Sequence, residues 1–236
     1  MKAIYKRELK AYFTSPVAYI FIAVFFLFEG IAFTGIYSNG TADVRGVFFH
    51  LLTMLGMIFL TPVLTMRLLS EDRRQKVDQA LLTAPVGITG IVLGKFLASY
   101  TVFALAFVPT IIFQITVSAL VPSVNWLFYL NALLGVLLTG AALISIGLMI
   151  SSLTESQAIS CILTITAFVS LFAITYIAGL TGQKFIIAAA EYLAIFDNLY
   201  RFSDSIFHIV DVAYLLSVTA LFIFLTVRNV ERRRWA

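Results

Sequence analysis

Six apolar runs, each about as long as the roughly 20 residues a helix needs to cross a bilayer, constrain this chain more than any other feature. They cover Val17–Tyr37, Val47–Leu69, Ile91–Val121, Trp126–Ile150, Ala158–Leu180 and Ile209–Val227, to within a few residues. A water-facing surface needs far more charge than 12% Asp, Glu, Lys and Arg set against 61% hydrophobic residues. The predicted fold class is an all-α integral membrane protein with six transmembrane helices. No repeat, low-complexity tract or linker divides residues 1–236, so a single domain is expected, with no room for a soluble catalytic domain. The lone Cys161 lies inside an apolar run and is expected to pack as a small hydrophobe.

The stretch Met66–Lys95 is the one long interruption dense in charges of both signs. Glu71, Asp72, Arg73, Arg74, Lys76 and Asp78 crowd together, followed by Ala80-Leu81-Leu82, Pro85 and Gly87. Each such charge costs about 3 kcal/mol at the bilayer centre on insertion scales, so the stretch belongs in water between two spans. It is short and half apolar, which suits a docking element for a separate soluble protein.

Basic residues set the orientation. With six spans both termini share a side, and thirteen of the sixteen Lys and Arg fall there; Arg45, Lys184 and Arg201 fall opposite. The positive-inside rule makes the termini and the docking stretch cytoplasmic. It also explains the pI of about 9.2 without a nucleic-acid partner. Upstream of the first run, Lys2, Lys6 and Lys10 recur on one helical face, with Tyr5, Leu9, Tyr12 and Phe13 on the other. This predicts a basic amphipathic helix in the interface, ended by Ser15-Pro16 as the cap and first residue of the next helix.

Few residues suggest chemistry. Gly94-Lys95 hints at a phosphate loop, but that pattern needs Gly at 89 and Ser or Thr at 96, and the chain has Thr89 and Phe96. Any ATP is therefore expected on another polypeptide. His50 and His208 both map toward the outer face, and no metal or catalytic set is expected. Glu29 sits about 18 Å into the first span at 1.5 Å per residue. Buried carboxyls of this kind mark pathways or bond a neighbouring helix; both readings stand, as does a reach toward His50. Asn39-Gly40-Thr41 reads as a turn. Pro62, Pro109 and small-residue pairs such as Ala141 with Ser145 can kink helices or let them approach. Residues 181–208 interleave aromatics with acids. One or two short helices at the outer interface are expected there, as a lid or a gate, with Tyr192, Phe196, Tyr200 and Phe202 as gate residues beside Glu29 and His50.

These residues resemble the ABC-2 type permeases of ATP-binding cassette transporters. The similarity is carried by Ser70–Lys76, Ala80–Val86 and Val92–Lys95 in the first loop, and by Gly147–Gln157 at the second inner turn. The ending Leu225–Trp235 is similar to the branch serving gliding motility and copper-enzyme maturation. Many members have Gly-Thr where this chain has Val77-Asp78. The resemblance implies two permease subunits side by side, each with six spans, in a bacterial inner membrane, and two ATPase subunits beneath that hold ATP and magnesium. It implies a coupling helix at Glu71–Leu82, with Glu71, Asp72, Arg73, Arg74, Asp78, Leu81 and Leu82 as docking residues. Thr154 and Glu155 would form a second contact, and an outer re-entrant hairpin would lie between the fifth and sixth spans. Outward transport is implied. The alternative is an anchor that moves a periplasmic or accessory partner without passing a solute.

Overall fold

The computed structural model describes residues 1–38, 43–74, 87–121, 125–181, 183, 194–203 and 208–234. Among them there are helices and no strands: α1 Lys2–Thr14, α2 Val17–Ser38, α3 Arg45–Phe49, α4 Leu51–Thr65, α5 Ser70–Arg74, α6 Ile88–Ala106, α7 Val108–Leu120, α8 Trp126–Leu153, α9 Gln157–Thr181, α10 Ile195–Arg201 and α11 Ile209–Arg234. Six segments are long and apolar enough to cross a membrane: Val17–Ser38, Leu51–Arg74, Ile88–Leu120, Trp126–Leu153, Gln157–Ile174 and Ile209–Arg232.

The local chemistry explains the joints. Ser15 takes extended backbone angles after α1, and Pro16 opens the next helix by accepting from the Ile20 N–H at 2.9 Å; its missing N–H costs nothing there. The second apolar run is not one helix from Val47, as its hydropathy predicts. His50 is extended and its ring nitrogen accepts from the Leu52 N–H, capping α4. The third run starts earlier than expected, at Ile88, and breaks at Phe107 because Pro109, in the first turn of α7, has no N–H to continue the ladder. The sixth runs on to Arg234, past the predicted Val227. Asn125 caps α8 through its side chain, 2.9 Å from the Leu127 N–H.

The fourth span is the core. Two thirds of its central window is buried, against less than a quarter for α9 and α11, and α11, α4, α6 and α9 pack on it. Its small residues make this possible. A Cβ on Gly147 would lie 2.3 Å from the Thr65 hydroxyl of α4, so only glycine lets those helices meet. A ladder of rings fills the middle of the bundle: Phe25 against Phe103 and Phe107, and Phe48 against Phe107 and Tyr129. In lipid, such packing supplies most of the association between helices.

Candidate functional site

At the end of the bundle that carries the termini, the second span does not stop cleanly. Residues 66–69 form a turn before α5. The Ser151 hydroxyl, fully buried on α8, accepts from the N–H groups of Leu69 and Ser70, each at 3.1 Å, and donates to Met66 O at 3.1 Å. One side chain thus satisfies the backbone of the break, which buried chain must have satisfied.

α5 then aims its charges. Asp72 lies 2.7 Å from the Lys95 ammonium of α6, which is 1% exposed. Lys95 also donates to Leu68 O at 2.6 Å and to Glu8 of α1 at 3.1 Å. Arg7 closes the group, pairing with Glu8 and lying 3.9 Å from Asp72. Two cations thus face two anions, and the buried ammonium has three oxygens around it, which makes its burial tolerable. Glu71 pairs with Arg67 at 3.1 Å, and Arg67 donates to Ser15 Oγ. Arg73 bonds Glu155 at 2.9 Å and Leu153 O at 3.3 Å, joining the first charged stretch to the second inner turn. Asn229 of α11 donates to Ser152 O and Oγ at 3.2 and 2.7 Å, tying in the last span.

Of the docking residues expected from sequence, Glu71, Asp72 and Arg73 are half-buried in contacts within the chain, whereas Arg74 is exposed. Thr154 and Glu155 lie beside them, the latter exposed. Asp78, Leu81 and Leu82 fall outside the described residues, as does Tyr192. Sequence reasoning missed Lys95, Glu8, Ser151 and Asn229. The available signal for Lys95 was a lone lysine inside an apolar run, next to Gly94, where α1 presses closest: a Cβ there would meet Ile4 at 3.0 Å.

Burial alone would raise the Glu8 carboxyl, but the Lys95 ammonium, helped by Arg7, outweighs it and holds Glu8 below the ordinary glutamate value. A depressed carboxyl stabilises the folded form above its unfolded value, and the contribution is lost as pH falls through the folded value. Hydrogen exchange of Lys2–Thr14, corrected for intrinsic rates, is therefore expected to be flat at neutral pH. It should rise as pH falls below the ordinary 4.5, and Glu8→Gln should flatten that rise.

At the other end, Glu29 is fully buried and neither oxygen has a hydrogen-bond partner among the described residues. Of the readings left open for Glu29, neither a bond to a neighbouring helix nor a reach to His50 is made among the described residues; His50 instead caps α4. Near Glu29, Thr110 and Tyr129 share a hydrogen bond of 2.8 Å. On α10, Phe196 is buried edge-on to Phe172, Phe202 is buried with its carbonyl accepting from Asn131, and exposed Tyr200 stacks on Phe49. Arg201 pairs with Asp211 at 3.1 Å, and Arg45 reaches Ser203 O. α10 is the described part of the expected outer hairpin and is seated on α8, α9 and α11.

Six apolar spans, the fourth of them the most buried, with a charged and knitted terminal face, define a multi-pass membrane protein. The chain matches the family described as ABC-2 family transporter protein over residues 2–228, and it belongs to that family. A search of curated proteins finds no match to the chain.

Proposed function

We propose that this chain is a permease subunit worked by a separate ATPase that docks on Glu71–Leu82 and touches Thr154 and Glu155. The observation that supports this best is the knitting at the terminal face. Arg73 links the first stretch to Glu155, Ser151 holds the break at residues 66–70, and Asp72 grips the root of α6. A push on the docking stretch would reach the second, third and fourth spans at once. The distribution of Lys and Arg argues for a cytoplasmic face. Two such permeases with two ATPases, the latter holding ATP and magnesium, would switch the side to which the pair opens and carry substrate outward. Glu29, with its unpartnered oxygens, suits a pathway position that opening would expose. His50, Tyr192, Phe196, Tyr200 and Phe202 would form the outer gate.

The test is Leu81→Asp with Leu82→Asp. Each leucine contributes about 2 kcal/mol if fully buried in a partner's groove, and a charge there removes that and adds a desolvation cost. The double variant is expected to reach the membrane folded, yet to lose ATPase binding and substrate transport in proteoliposomes. Transport at the wild-type rate per ATP hydrolysed would refute the docking assignment.

A further inference from the structure

The N-terminal helix is bonded to both roots of the docking segment. That segment lies in sequence between α4 and α6. On the α4 side, the Tyr12 hydroxyl of α1 donates to Leu64 O at 2.6 Å, and Arg67 donates to Ser15 at the end of α1. On the α6 side, Ile4 packs over Gly94 and the Tyr5 hydroxyl bonds Thr101 at 3.1 Å. Between the two roots lies Lys95, whose ammonium touches an acid from each of two helices, Glu8 of α1 and Asp72 of α5.

We infer that Lys95 is a positioning residue that locks α1 onto the docking stretch, so that the two move as one body when the partner pushes. The inference rests on the docking reading of Glu71–Leu82 for its consequence, though not for its geometry. Only a buried cation would hold Glu8 and Asp72 on the same side of α6. Without it two half-buried carboxylates face each other, and like charges at such range repel strongly where water is scarce. Arg7 cannot take over, because it is more exposed and 3.9 Å from Asp72. The Lys95 clamp is thus a direct ionic link, among the described residues, between α1 and the stretch that would meet the ATPase.

The experiment uses the full chain with its ATPase in nanodiscs, Cys161→Ser, with spin labels at the exposed positions Lys10 and Arg74 for the distances once the labelled chain is shown to retain the ATPase, and with the unlabelled chain for substrate moved per ATP. The wild-type distance distribution is expected to be narrow, and the same nucleotide-free and with ATP trapped. Lys95→Met should broaden it and lower substrate moved per ATP severalfold while hydrolysis continues. Adding Glu8→Gln and Asp72→Asn to Lys95→Met should narrow it again, because no buried charge is left unpaired. A wild-type distance that shifts on trapping would overturn the inference, as would a Lys95→Met variant with unchanged distances and coupling. If Lys95→Met fails to accumulate, accumulation of the triple variant is the expected rescue; failure of both overturns the charge account. The nucleotide-free distances need no docked partner, so they can fail while the docking reading survives, and the reverse holds for Leu81 and Leu82.

Discussion

Ser151→Ala is expected to cost about 2–6 kcal/mol of stability and to loosen the docking stretch, because it strands two buried N–H donors at about 1–3 kcal/mol each. The hydroxyl it removes is the acceptor for Leu69 and Ser70 N–H and a donor to Met66 O. These groups belong to the turn where the second span gives way to α5, so no helix ladder stands ready to accept them. The site is fully buried, leaving no water to substitute. The unfolding midpoint in mixed micelles should fall, and hydrogen exchange at residues 66–74 should rise well above that of α8. Ser145→Ala is the control. Ser145 is equally buried on the same helix, but its hydroxyl bonds only Ala142 O in its own helix, so its loss strands no donor and should change the midpoint little. Equal effects from the two variants would mean that Ser151 acts as any small residue would, and not as the acceptor that holds the break.

Much of this architecture was legible because lipid enforces simple rules. Each apolar run became a span, since charge is excluded from hydrocarbon and the backbone must satisfy itself there. In α1, Lys2, Lys6 and Lys10 are exposed, and of the face expected to be apolar Tyr12 is buried and Tyr5, Leu9 and Phe13 are half-buried. The breaks at His50 and Phe107 were less legible. His50 is an uncommon cap, and Pro109 announced a disturbance without saying whether it kinks or splits the helix. The charged stretch was read as a docking element offered to a soluble partner. The structure shows Glu71, Asp72 and Arg73 in ion pairs within the chain, and sequence density cannot tell a charge offered to a partner from one already paired. Lys95 is paired with both Asp72 and Glu8, residues 23 and 87 positions upstream of it, and only the fold brings those three together. The same holds for Arg73 with Glu155. Glu29 was singled out from its position alone, as a carboxyl within an apolar run, and the structure shows that it is buried.

Gly140 is the position where a single added methyl group should do most harm to the bundle. A Cβ there would fall 2.0, 2.4 and 2.6 Å from three atoms of the Phe103 ring. That ring cannot swing away: it is fully buried and packed between Phe21, Phe25 and Phe107. Overpacking of this kind costs about 1–3 kcal/mol even where neighbours give way, and here the backbones of the third and fourth spans must part. Gly140→Ala is expected to lower the unfolding midpoint sharply, and Gly140→Leu to prevent accumulation in the membrane. Phe103→Leu should be harmful alone, yet should rescue part of the Gly140→Ala loss when the two are combined, the sign of coupling expected for residues in direct contact. Gly179→Ala, where a Cβ meets nothing within 4 Å, should be neutral or gain up to about 1 kcal/mol from helix propensity. If Gly140→Ala behaved like Gly179→Ala, the third and fourth spans would not be held in the close approach described here. The path from Lys95 through α6 into the fourth span would then lose its rigid contact.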